Sequence, residues 1–152
     1  MRRALAALGL LGALSAAGCG GPEAEARAAI RGATRTLEDY MAAMKKGDCK
    51  AAYACLSWRR RQETPLAEIQ ADYDGHRERY RSRAGARIKD LHYDGFRVYS
   101  NLQNEDGNEC ISLVPEEGGW RIEDSGRSYQ HLMEKARRLG GPAHPEDRPG
   151  GG

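Results

Sequence analysis

The chain has 152 residues, with 24 Lys+Arg against 22 Asp+Glu, 39% hydrophobic residues and 30% charged residues. That is the size of one ordinary domain with a modest core. It excludes a multi-span membrane protein, a collagen-like chain and a fully disordered polyelectrolyte, and it names no reaction.

The first element is for targeting. Arg2 and Arg3 precede an uncharged run from Ala4 to Gly18, which is shorter than the roughly 20 residues a transmembrane helix needs. Its ending, Ala16-Ala17-Gly18-Cys19, resembles a bacterial lipoprotein signal. The resemblance implies that residues 1–18 are removed, that the Cys19 thiol takes a diacylglycerol, and that Cys19 becomes a lipid-anchored N-terminus. The competing reading is an ordinary signal peptide cut near Ala17. Gly20, Gly21 and Pro22 follow as a flexible joint, so residues 19–23 form a tether. Some Gram-negative lipoproteins carry an inner-membrane-retaining Asp where Gly20 stands. The resemblance therefore points to the cell envelope, and to the periplasmic face of the outer membrane in a Gram-negative source.

Removing Arg2 and Arg3 leaves 22 basic and 22 acidic groups. No global attraction to nucleic acid remains, and an exported protein rarely meets any. The charge is uneven, however: residues 58–89 hold nine basic and five acidic groups, and residues 90–127 three and nine. Two solvated faces account for this; a docking surface for an anionic envelope component is the sharper alternative.

Glu23 to Lys46 reads as a long amphipathic helix, because Ala26, Ile30, Ala33, Leu37, Met41 and Met44 recur at spacings of three and four. Gly47 ends it and Asp48 caps a second helix, Cys49 to about Arg59. Thr64 and Pro65 open a third, with Glu68 in its first two turns, closed by Gly85. The period then becomes that of strands. Ala86–Tyr93, Phe96–Leu102, Cys110–Val114 and a strand carrying Trp120, Ile122 and Asp124 are separated by Asp94-Gly95, Glu105-Asp106-Gly107-Asn108 and Glu116-Glu117-Gly118-Gly119. Three tight turns at short spacing predict an antiparallel meander. Tyr129–Leu139 is a candidate last helix, and residues 140–152, rich in Gly and Pro, read as a disordered tail.

The expected fold is α+β: a long N-terminal helix and two shorter ones packed on a curved four-strand antiparallel meander, in a domain over residues 24–139. Leu37-Glu38-Asp39-Tyr40 to Lys46-Gly47-Asp48, Ala51-Ala52-Tyr53 to Leu56-Ser57, and Gly118-Gly119-Trp120-Arg121-Ile122-Glu123-Asp124 carry a resemblance to the nuclear-transport-factor-2-like superfamily, in its secreted bacterial lipoprotein branch. The match covers about Ala24 to Ser125. It implies a cone, with the sheet wrapped around the long helix and a pocket at the open end. The superfamily holds isomerases, dehydratases and many non-catalytic binding modules, and fold alone does not choose among them.

Three cysteines remain after Cys19. Cys49 and Cys55, six apart on one helix, are separated by about 9 Å of rise, beyond the roughly 7 Å Cα limit for a bridge. A disulfide, permitted by export, therefore requires Cys110, and Cys55 is the preferred partner because Cys49 starts its helix; free thiols are the alternative. No Cys-x-x-Cys occurs and no His lies within four residues of a Cys, so no metal site is expected. No cofactor motif is present either. His92 is the candidate general base, near the middle of the pH scale, if its strand face points into the cone. Tyr40 and Asp124 are then its companions, but no spacing reproduces a catalytic set. A strand His partly exposed between Asp90 and Asp94 is the better explanation. His76 sits in a charged stretch and His144 in the tail. Arg59, Arg60 and Arg61 close a helix where its dipole favours cations. Arg77, Arg79, Arg81 and Arg83 spread around a helix rather than forming a phosphate cradle. Trp120 is expected to close the core.

These residues lead first to a cell-envelope lipoprotein whose domain binds a protein partner or a small ligand without chemistry. A small isomerase- or dehydratase-like enzyme using His92, and a module docking on anionic envelope components through its Arg-rich helices, are the alternatives.

Overall fold

The computed structural model describes residues 21–126 together with 131, 132, 134 and 138. The expected signal segment 1–18, the expected lipidation site Cys19, His144 and the expected tail 140–152 lie outside the described residues, as does most of the candidate helix over 129–139. The chain is α+β: five helices, α1 (Pro22–Lys46), α2 (Cys49–Ala54), α3 (Trp58–Glu63), α4 (Leu66–Gly75) and α5 (Arg77–Ala84), precede four strands, β1 (Arg87–Tyr93), β2 (Val98–Asn104), β3 (Gly107–Glu116) and β4 (Gly119–Gly126), among the described residues. The sheet order is β1-β2-β3-β4, and each neighbouring pair is antiparallel.

The ends of α1 follow from its sequence. Pro22 fills the first turn, where a missing N–H costs nothing, with Glu23 and Glu25 beside it. Lys45 and Lys46 occupy the last turn, and Gly47 turns the chain left-handed at φ 75°, its N–H donating to the carbonyls of Ala43 and Met44. Asp48 caps α2 by accepting from the Ala51 N–H at 2.9 Å.

The second and third expected helices are each two. The periodicity predicts one helix from Cys49 to about Arg59, but the chain breaks at residues 55–57. There Leu56 forms a parallel bridge with Ile122. The Ile122 N–H donates to the Cys55 carbonyl at 2.9 Å, and the Ser57 N–H donates to the Ile122 carbonyl at 2.8 Å. Backbone bonds to the sheet edge replace helical ones, and Ser57 restarts the chain as the cap of α3 by accepting from the Arg60 N–H at 3.1 Å. The expected third helix breaks at His76 (φ −134°, ψ 39°). The break lets Tyr73 and Tyr80 pack with ring centroids 5.4 Å apart, and it brings the Tyr80 hydroxyl onto the Asp72 carboxylate, to which it donates. Eight residues along one unbroken helix would hold that pair about 12 Å apart in rise.

All three hairpin turns fall where the Gly-containing tetrads predict them. Asp94 Oδ1 accepts from the N–H groups of Phe96 and Arg97 at 2.9 and 2.6 Å, and Gly95 takes φ 93°. Residues alternate between two faces of the sheet. Val98, Leu102, Ile111, Leu113 and Ile122 face the helices and form the main core with Ala33, Leu37, Tyr40 and Met44 of α1. Tyr99 and Cys110 point the other way and form a second cluster with Leu132.

Candidate functional site

A cavity of about 240 Å³ lies on the helix side of the sheet, away from the β3–β4 turn. Its apolar wall is Ala52, Leu56, Ile69 and Ile122, contributed by α2, the bridge, α4 and β4. Its polar lining residues are Tyr40, Arg60, Thr64, Glu68, Asp72, Tyr80, Arg83 and Ser125, with Asp124 bordering it at the edge of β4. Asp124 pairs with Ser112 in the row of Tyr99 and His92, so by register it belongs to the other sheet face. An apolar floor with a few convergent polar groups is the composition of a small-molecule site, here somewhat below the usual size of about 300–1,000 Å³.

Tyr40 is delivered by the C-terminal half of α1 and is buried. Burial pushes its phenol above the ordinary value, while the Arg83 guanidinium nearby opposes the shift. Arg83 lies over the Tyr40 ring, 5.8 Å from the centroid. The Arg83 Nη2 donates to Glu109 Oε1 on β3 at 2.7 Å, which ties α5 to the sheet. Tyr80 is likewise pushed up, first by burial and then by the hydrogen bond it donates to Asp72. The same bond holds the Asp72 carboxyl below its usual range, with His76 beside it helping. Both phenols are thus held as protonated donors, and Asp72 as a carboxylate. Asp124, buried at the far end of β4, accepts from the Ser125 N–H at 2.9 Å. Arg59 reaches it at 3.9 Å and donates to its neighbour Glu123.

Of the three residues expected to act together, Tyr40 lines this cavity and Asp124 borders it, and His92 does neither. His92 pairs with Tyr99 across β1 and β2, so it sits on the opposite sheet face. There it borders a separate cavity of about 330 Å³ with Asp90, Asn101 and Cys110. Its exposure between two aspartates was the plainer expectation. The catalytic trio is therefore not assembled: strand parity puts the imidazole on the wrong face.

The expected Cys55–Cys110 bridge meets the same obstacle. Cys55 packs against the helix-side core and Cys110 belongs to the cluster on the other face, so the sheet lies between them. Cys49, Cys55 and Cys110 are free thiols. Burial raises all three thiol pKa values, Cys110 to about 11.

The arginines of α5 do not form one array. Arg77 is paired with Asp74 at 2.8 Å, Arg83 with Glu109 across the molecule, and Arg81 turns toward a groove beside Arg87 and Glu105. Trp120 packs against the main core as expected.

Arg60, Glu68, Asp72, Tyr80 and Arg83 are cavity residues that sequence reasoning missed. Asp72 and Tyr80 become neighbours only through the break at His76. The one local signal was Asp74-Gly75, a turn dipeptide inside an otherwise helical pattern. Among the described residues, no group of three or more His, Cys, Asp or Glu side chains is placed to hold a metal ion, and no helix is long and apolar enough to cross a membrane. No protein-family model matches this chain, and no curated protein matches it.

Proposed function

We propose that the protein is a lipid-anchored envelope module with a nuclear-transport-factor-2-like cone, which binds a small polar ligand in the cavity between its helices and β4. The observation that carries this reading is the cavity itself: an apolar floor beneath hydroxyl, guanidinium and carboxylate groups that converge from four helices and one strand. Tyr40 stays protonated and offers its O–H, while Tyr80 donates its O–H to Asp72 and presents an acceptor oxygen. Arg60 and Arg83 supply positive charge, and Glu68 and Asp72 supply acceptors. That mixture suits a ligand with both donors and acceptors, such as a zwitterion or a polyol, and not a bare hydrocarbon. The Ala-Ala-Gly-Cys19 ending supports the anchor. Binding without chemistry is favoured because two phenols raised above their ordinary values are poor bases at neutral pH, and the imidazole of His92 is on the far face.

The test is a thermal-shift screen of amino acids, sugars and small carboxylates against the mature domain, repeated with Ser125→Phe, which fills the rim, and Tyr40→Phe. A ligand that raises the wild-type Tm and fails to raise that of Ser125→Phe supports the reading. A ligand whose effect survives both substitutions removes the cavity from it. Metabolic labelling with a fatty-acid analogue tests the anchor: equal labelling of wild type and Cys19→Ala ends the lipoprotein reading.

A further inference from the structure

Among the described residues, Trp58 and Phe96 are the large apolar side chains left in solvent, 65% and 43% exposed. Both lie toward the end of the molecule where α1 begins. Phe96 is in the β1–β2 turn, and Tyr93, at the start of that turn, donates its hydroxyl to Glu25 in the first turns of α1 at 2.8 Å. Trp58 opens α3, and its N–H donates to Glu116 Oε1 at the β3–β4 turn, 2.7 Å away. In a meander the β1–β2 and β3–β4 turns share one end of the sheet. The other end of α3 leads to Thr64 on the cavity rim, and Leu56 and Arg60 on either side of Trp58 also line the cavity, so the exposed Trp58 side chain stands beside the cavity wall at the β3–β4 turn end.

The inference rests on the anchor at Cys19. Three Cα steps separate Cys19 from Pro22, the first residue of α1, and they span at most about 11 Å. An acylated Cys19 therefore holds the start of α1, and the β1–β2 turn beside it, against the headgroup layer. We propose that Trp58 and Phe96 insert into that layer, so that the lipid anchor and two aromatic side chains fix the domain in one orientation on the bilayer.

The chemistry of this end fits a membrane surface. Trp is favoured at the boundary between hydrocarbon and headgroups, and Phe is among the apolar side chains that interfacial segments bury there. The Arg97 guanidinium stands over the Phe96 ring, 5.4 Å from its centroid, so the ring can enter while the charge stays at phosphate depth. The neighbouring charges nearly cancel: Glu23, Glu25, Asp94, Glu116 and Glu117 face Arg27, Arg61, Arg97 and Arg121. Docking is thus driven by the aromatic rings, and anionic lipid adds little. The consequence for the cavity is geometric. Tyr40 lies 18 residues along α1 from Pro22, about 27 Å of rise. Ser125 is at the end of β4 remote from the β3–β4 turn. The Tyr40 and Ser125 end of the cavity is therefore the end away from the bilayer.

The chain has two Trp residues, which makes the test direct. The full lipidated protein is reconstituted into phosphatidylcholine vesicles whose acyl chains are brominated near the glycerol backbone. Flotation of the wild type with the vesicles, and its loss in Cys19→Ala, establishes the anchor. Bromolipid quenching of tryptophan fluorescence then reads insertion. The expected result is quenching at least about twofold stronger in wild type than in Trp58→Phe, where only the packed Trp120 remains to report, and weakened by Phe96→Ser. Equal quenching in wild type and Trp58→Phe, in protein that floats, overturns the docking and leaves the anchor standing. Failure of the wild type to float overturns both.

Discussion

The indole of Trp120 occupies the space that a side chain at position 32 would need. A Cβ on Gly32 would stand 2.5 Å from Trp120 Cδ1 and 2.9 Å from Nε1. The edge of Tyr93 meets the same ring at 6.1 Å and 86°, and the Thr36 hydroxyl donates to the Trp120 carbonyl at 3.0 Å. A glycine in mid-helix, which costs up to about 1 kcal/mol against alanine, is the contact that lets β4 lie on α1.

Gly32→Ala should therefore destabilise the protein despite the gain in helix propensity, because overpacking costs about 1–3 kcal/mol. Thermal melts of Gly32→Ala alone and in a Trp120→Leu background separate the two effects. A loss of Tm that disappears once the indole is gone is the expected outcome, and an unchanged Tm in the wild-type background would refute it.

The Tyr80–Asp72 bond predicts a pH effect. Asp72 is held below its ordinary value of 3.8, chiefly by the Tyr80 hydroxyl. A carboxyl depressed in the folded state contributes stability that is present above its unfolded value and is lost as pH falls through the folded one. Tyr80→Phe should thus lower stability at pH 5–7 by more than at pH 2–3. Urea melts across that range check it. A difference that grows toward low pH would contradict the assignment. Asp72 is about half exposed, so the effect is small.

The thiols should all react with an alkylating reagent in the unfolded, unreduced protein, because the sheet separates Cys55 from Cys110. Reductant should leave the Tm unchanged. In the native state Cys55, half-buried, should be modified first, and the buried Cys49 and Cys110 should follow only on opening. A Cys55–Cys110 peptide in a non-reducing map would contradict this arrangement of the faces.

Asp90 takes a positive φ of 51°, where β1 slips register between Lys89 and His92. Its carboxylate accepts from Asn101 Nδ2 at 3.2 Å, an exposed bond of little weight. Asp90→Gly should be neutral or stabilising by under about 1 kcal/mol, and Asp90→Val destabilising by about 1–2 kcal/mol. Equal stabilities for the two variants would show that the left-handed backbone is not retained.

Much of the framework was legible without coordinates. Gly47 and Asp48 act through their own backbone preferences, so the end of α1 and the start of α2 could be read locally, whereas Pro22, expected in the flexible joint, is the first residue of α1. Asp94-Gly95 and Gly118-Gly119 act in the same way, and they set the meander and its strand order. Those effects span four or five residues and do not depend on what lies across the molecule. The expected strand limits were short by a few residues: β2 runs on to Asn104, and β3 from Gly107 to Glu116.

Only the tertiary structure decided where the helices break and which side chains meet. At Leu56 the competing partner is the edge of β4, some 66 residues later in the chain, and no periodicity within α2 contains it. At His76 the gain is the contact of Tyr80 with Tyr73 and Asp72, which exists only after the chain has turned. The face of each strand residue hangs on a parity that a single bulge reverses, and β1 and β4 each carry an irregular register. That is why Tyr40 faces the cavity while His92, Cys110 and, through its pairing with Ser112, Asp124 belong by register to the other face of the sheet. The order of the elements was legible in the chain alone, because turn and cap chemistry is local. The cavity was decided by long-range packing, because each of its walls comes from a segment whose neighbour is distant in the chain.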